Sequence, residues 1–202
     1  MAIRCVFFDF DGVLRNWEYD QESLKTVFGI PIDAFREVAF APENVVPAIR
    51  GEITDEQWRA NVGQIMKTRF PDRDVEAATT AWDRRTGELV PEVLDIVREC
   101  KLRLPVGLIT NATSKLNDDL ESLDIADLFD HVVNASEVGS IKPEPEIYLH
   151  ALKIARIDPH EAFFTDDMPE NVEAAERLGY VGHVFETAEG LRSALVKAGV
   201  LQ

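Results

Sequence analysis

Apolar residues in this chain fall into two patterns, short unbroken runs and longer stretches with helical spacing. The runs cover 3–8, 104–110, 131–134, 162–166 and 180–185. Runs this short and this apolar predict strands buried on both faces of a parallel sheet. Between the later runs lie amphipathic stretches. Residues 91–100 bring Val93, Leu94, Ile96 and Val97 to one helical face, and 145–156 do the same with Ile147, Ala151, Leu152 and Ala155. A third stretch, 169–178, precedes Gly179, which fits a helix C-cap. Pro91, Pro145 and Pro169 open these stretches, where a missing N–H costs nothing. Strands alternating with helices predict an α/β fold, an open parallel sheet with helices on both faces.

One region breaks the alternation. Between about 16 and 88 no strand is predicted. Helical pieces at 21–28 (stopped by Gly29), 33–40, 55–70 (stopped by Pro71) and 75 to about 85 take its place. Thr54-Asp55-Glu56-Gln57 at the head of the third fits a capping box. The expected division is a core of 1–15 and 89–202 with a small all-helical domain, 16–88, inserted after the first strand.

Composition narrows the function. The chain has 202 residues, 46% hydrophobic and 29% charged, as expected of a globular protein rather than a disordered one. Lys and Arg number 21 against 37 Asp and Glu, a formal charge of −16. Such a surface repels nucleic acid and anionic membranes, so neither is expected as a partner. An anionic substrate would need local positive charge or a metal. Cys5 and Cys100 read as buried free thiols of a reducing compartment. The first apolar run is short and meets Asp9 at once, unlike a signal peptide. No run approaches the roughly 18 residues of a membrane span, and the expected location is cytoplasmic.

In an open parallel sheet, ligands bind beyond the carboxyl ends of the strands, and the polar residues there are the candidates. Asp9-Phe10-Asp11-Gly12-Val13 follows the first run. Residues i and i+2 of an extended chain point the same way, so both carboxylates project together. A divalent cation would offset their repulsion; the alternative is a solvated turn. Thr110-Asn111 ends the second run and supplies a hydroxyl and backbone N–H groups for phosphate oxygens, or an ordinary N-cap. Lys142, held extended by Pro143, is a charge for an anion or a solvated loop lysine. Thr165-Asp166-Asp167 ends the fourth run, with Pro169 and Asn171 beyond it, as a second acid pair for a metal or an N-cap. The four occur together and in order: acid pair, hydroxyl, lysine, acid pair. That set supplies a nucleophile, a metal cage, phosphate donors and a counter-charge.

The same residues resemble the motifs of the haloacid dehalogenase-like hydrolase superfamily. Phe8-Asp9-Phe10-Asp11-Gly12-Val13 is similar to its first motif, Thr110-Asn111 to its second, Lys142-Pro143 to its third, and Thr165-Asp166-Asp167 with Asn171 to its fourth. The resemblance implies a Rossmann-like core and, in the helical insertion, the family's mobile cap. It further implies a phosphatase acting on a small phosphorylated metabolite, with sugar phosphates the expected class. Asp9 would be the nucleophile and Asp11 the general acid and base. Mg²⁺ would be held by Asp9, the Asp11 carbonyl and Asp167, with Asp166 nearby. Thr110, the Asn111 N–H and Lys142 would bind the phosphoryl oxygens.

Asp11 argues against carbon–halogen chemistry, because the family's dehalogenases lack that second acid. Its phosphonatases carry a cap lysine that forms a Schiff base, and neither Lys25 nor Lys67 has a recognisable context for one. The four histidines have no metal-ligand spacing. Arg15 and Trp17, just after the first motif, are candidates for substrate contact across the cap boundary. So is Arg50, in a segment (Arg50-Gly51-Glu52) that resembles the family's specificity loop. Two rival readings stay open: a phosphomutase using the same intermediate, and a non-catalytic binding protein that keeps the fold.

Overall fold

A computed structural model describes residues 2–17, 28–83 and 87–202. The predicted helix at 21–28 and Lys25 lie largely or wholly outside these residues. The core is a five-stranded sheet in the order β5-β4-β1-β6-β7. Its strands are β1 (Cys5–Phe8), β4 (Val106–Thr110), β5 (His131–Asn134), β6 (Ala162–Asp166) and β7 (Val181–Val184), and every pairing is parallel. All five predicted runs are strands, trimmed by one or two residues at some ends.

Alternation along β1 builds both faces of the core. Val6 and Phe8 join an apolar cluster with α5 (Pro91–Lys101), α6 (Leu116–Ser122) and α10 (Ala188–Lys197). Cys5 and Phe7 join a second cluster with α8 (Pro145–Ala155) and α9 (Pro169–Arg177). Both cysteines are buried free thiols. Burial pushes each up to about 12.

Helices α1 (Ile32–Ala39), α2 (Pro42–Ile49), α3 (Asp55–Arg69) and α4 (Val75–Asp83) enclose a third apolar cluster of their own. Its centre is aromatic: the Trp58 and Trp82 rings meet edge to face at 5.3 Å. The capping box of α3 forms as expected, Gln57 N donating to Thr54 Oγ1 and Thr54 N to Gln57 Oε1.

Within the helical region and at its ends, three elements depart from the sequence reading. Helix α2 forms although Pro47 lies inside it, and Pro42 occupies its first turn, where proline favours helix entry. A two-residue antiparallel pair, β2 (Arg15–Asn16) with β3 (Glu88–Leu89), joins the ends of the region expected to hold no strand. Two residues are too few to leave a periodic signal. Helix α7 (Ala135–Val138) follows β5 and ends at left-handed Gly139.

The register sets up the site. Phe8 is level with Leu108 on β4 and with Thr165 on β6. One residue further, Asp9 therefore emerges beside Asp166. The chain leaves β1 towards β4 and β5, then returns to β6 on the other side, so Asp9 sits at the topological switch point of the sheet.

Candidate active site

Asp9 is anchored by its backbone, its N–H donating to the Thr165 carbonyl at 2.9 Å. Its side chain is buried and accepts from the Phe10 N–H at 2.7 Å. Lys142, also buried, reaches across from the loop after α7: its Nζ lies 2.7 Å from Asp9 Oδ1 and 2.6 Å from Asp166 Oδ2. Asp166 is wholly buried, and its carboxylate also accepts from the Met168 N–H and the Asn171 amide at the head of α9.

Asn111 clamps the backbone of Lys142 from both sides. Its Nδ2 donates to the Lys142 carbonyl at 3.0 Å, and its Oδ1 accepts from the Lys142 N–H at 2.7 Å. The Asn111 side chain thus holds the lysine, a role its position beside Thr110 did not announce. Thr110 is buried as the last residue of β4.

Asp167 completes the cluster, its carboxylate resting against Gly12. Gly12 has φ +89°, and a Cβ there would lie 2.5 Å from Asp167 Oδ2, so both conformation and space require glycine. Carboxylate oxygens of Asp9, Asp166 and Asp167 lie within 4.8 Å of one another. Three carboxylates around one ammonium leave excess negative charge, and an all-oxygen donor set suits a hard divalent cation such as Mg²⁺.

The electrostatics follow from this crowding. Burial, reinforced by Asp166, pushes Asp9 up to about 7 against the pull of Lys142. Burial and then Asp166 also raise Asp167. For Lys142 burial pulls downward, but Asp9 and Asp166 together outweigh it and hold the ammonium charged.

Asp11 faces a different set of partners. Arg15 Nε donates to Asp11 Oδ1 at 2.6 Å and its Nη2 to Oδ2 at 3.1 Å, while Trp17 Nε1 donates to Oδ1 at 2.9 Å. The buried Arg15 guanidinium lies between the Phe10 and Trp17 rings, 4.2 and 4.5 Å from their centroids. Its far end meets Asp119 on α6 at 2.8 Å, which Lys115 also reaches. Asp119 and Lys115 had no sequence signal, since nothing periodic links Arg15 to a residue 104 positions away.

The helical layer docks at two points. At the head of α3 the Asp55 N–H donates to Ser114 Oγ and Thr113 Oγ1 donates to Asp55 Oδ1. Nearby, Arg50 pairs with Glu144 and donates to the Gly139 carbonyl. Arg50, a candidate for substrate contact, lies against the Lys142 loop and is not among the residues lining the cavity of Arg15 and Trp17.

That cavity, about 320 Å³, lies between the helical layer and the sheet and reaches Asp11 and Asn111. A larger open groove of about 740 Å³ runs along α3 and α4 past Lys67, but it touches none of Asp9, Asp11, Lys142 or Asp167.

A buried aspartate–lysine pair and an acid cluster thus stand together at the switch point of a parallel sheet, where ligands bind in open α/β folds. The chain belongs to the haloacid dehalogenase-like hydrolase family, which it matches over residues 3–179. It is 26% identical to a phosphorylated carbohydrates phosphatase of Thermotoga maritima, covering 98% of this chain and 93% of that one. It is 24% identical to validoxylamine A 7'-phosphate phosphatase of Streptomyces hygroscopicus subsp. limoneus, over 87% and 82%. A match to bifunctional epoxide hydrolase 2 of Rattus norvegicus, 24% identical, spans 95% of this chain but 38% of that protein. Among solved structures, a HAD family enzyme of Bacteroides thetaiotaomicron in a magnesium complex superposes with TM-score 0.71 at 21% identity, over 92% and 94% of the two chains. No helix among the described residues is long and apolar enough to cross a membrane.

Proposed function

We propose that this hydrolase is a Mg²⁺-dependent phosphatase that cleaves a small phosphomonoester, of the sugar phosphate class, through an aspartyl-phosphate on Asp9. The observation that carries the reading is the buried Asp9–Lys142 pair beside the carboxylates of Asp166 and Asp167. The substrate class is supported by the similarity to the Thermotoga carbohydrate phosphatase.

In the first step an Asp9 carboxylate oxygen attacks phosphorus while the bond to the leaving oxygen breaks, and Asp11 gives that oxygen its proton. The alcohol departs and Asp11 is left ionised. In the second step Asp11 takes a proton from water, whose oxygen attacks phosphorus and breaks its bond to Asp9. Inorganic phosphate leaves, and both aspartates return to their starting states. Lys142, Thr110 and the Asn111 N–H neutralise and orient the phosphoryl oxygens. Asp9, Asp167 and the Asp11 carbonyl would hold Mg²⁺, with Asp166 behind them, and the ion supplies positive charge to the reacting oxygens. Residues 16–88 act as the cap that excludes bulk water, a role supported by the docking of Asp55 and Arg50. Arg15 orients Asp11, and Trp17 meets the leaving group.

The test is phosphate release from a panel of phosphomonoesters with Mg²⁺. The expected outcome is turnover that is lost with Asp9→Asn or with EDTA. Turnover that survives Asp9→Asn would eliminate the covalent route.

A further inference from the structure

The cavity beside Asp11 has two kinds of wall. One is apolar and largely aromatic: Trp17, Phe40, Val45, Ile49, Trp58 and Trp82. Phe40 and Trp82 both pack against Trp58, with centroids at 6.0 and 5.3 Å. The other wall is charged but balanced, Arg15, Arg59 and Lys115 standing against Asp11, Asp55 and Asp119.

Among the described residues, every cation of that wall is engaged. Arg15 is bound by Asp11 at 2.6 Å and Asp119 at 2.8 Å, Lys115 by Asp119 at 2.5 Å, and Arg59 by Asp55 at 2.5 Å. Arg59 also lies over the Trp82 ring, 4.6 Å from its centroid. A second anionic group entering the cavity would have to take a cation from one of these pairs. It would then take Arg59 from Asp55 or Arg15 from Asp11, or leave Asp119 with one of its two cations, in a site whose other wall is apolar, which is unfavourable. A ring with an apolar face meets no such penalty and gains aromatic contact. The volume, about 320 Å³, is at the small end for ligand sites.

We infer that the leaving group is an uncharged body with an apolar face, such as a pyranose or aryl ring, and that esters carrying a second phosphate or a carboxylate are rejected. This rests on the phosphatase reading and narrows it. It also runs against the phosphomutase alternative, which must hold a sugar bisphosphate.

The test compares phosphate release, with Mg²⁺, from glucose 1-phosphate and p-nitrophenyl phosphate against phosphoglycolate, fructose 1,6-bisphosphate and pyrophosphate. The neutral-bodied esters should lead in kcat/KM by about a hundredfold or more, given what unpaired buried groups cost in discrimination. Asp119→Asn, which releases Lys115 and the Nη1 end of Arg15, should narrow that gap about tenfold. Phe40→Ala should raise KM for the ring esters several-fold; this ring is half exposed, so the variant remains informative even if Asp119→Asn does not fold. Equal or better turnover of the anionic esters, with Asp9 still essential, would overturn the inference and leave the phosphatase reading standing. No phosphate from any ester, with the protein folded by circular dichroism, would remove both.

Discussion

Two buried carboxylates, Asp9 and Asp166, share the ammonium of Lys142 at 2.7 and 2.6 Å. Removing it takes from both buried acids the cation they share. Lys142→Ala should therefore cost about 3–5 kcal/mol of stability, as for other broken buried pairs, measured by urea denaturation without metal. A loss below about 1 kcal/mol would mean that the pair is far better solvated than its burial implies. Asn111→Ala is subtler, because the charge stays and only its backbone clamp goes. It should lower kcat more than it raises KM and cost about 1–3 kcal/mol, the range for stranded buried polar groups. The acids and the lysine were readable in the sequence because each follows a recognisable strand and its neighbours match a motif. The grip of Asn111 on Lys142 was not, since it spans 31 positions and joins a side chain to a backbone.

Between elements, the helical layer meets the core where Gly51 lies against α7. Gly51 has φ +71°, and a Cβ there would fall 2.0 Å from the Ser136 carbonyl oxygen. The neighbouring Arg50 holds Glu144, whose carboxylate also accepts from Ser140 and the Ile141 N–H. The helical layer thus presses on the loop that carries Lys142. Gly51→Ala should lift it, reducing kcat/KM at least tenfold while the separate apolar clusters keep both layers folded. Gly139→Ala is the control: its φ is +77° and nothing lies within 4 Å of the added Cβ. It carries similar backbone strain without the collision, so equal losses in the two variants would assign the effect to strain rather than docking. The elements were legible where a period could be read, in the five strands and the amphipathic helices α5, α8 and α9. Helix α2, with its internal proline, and the β2–β3 pair were not, because one contradicts a local rule and the other is too short to have a period.

For the molecule as a whole, a charge of −16 and an acid cluster at the sheet edge set how pH and metal act together. Burial, followed by Asp166, raises Asp9 from 3.8 to about 7, and the same two causes raise Asp167. Between about pH 4 and 7 the folded protein keeps a proton on Asp9 that the unfolded chain has already lost. The folded state then binds more protons than the unfolded one, so the Asp9 contribution to stability falls as pH rises through that window. Mg²⁺ needs the ionised carboxylate and competes with that proton. Its stabilising effect should therefore grow from pH 5 to pH 8, reaching about 2.7 kcal/mol when the free ion is a hundredfold above Kd. Thermal unfolding with and without Mg²⁺ across this range, at constant ionic strength, makes the measurement. In Asp9→Asn the growth with pH should largely disappear, because the group that takes up the proton is gone. A Mg²⁺ shift that is flat from pH 5 to 8 in the wild type would mean that Asp9 ionises in the ordinary carboxylate range, with Lys142 outweighing its burial.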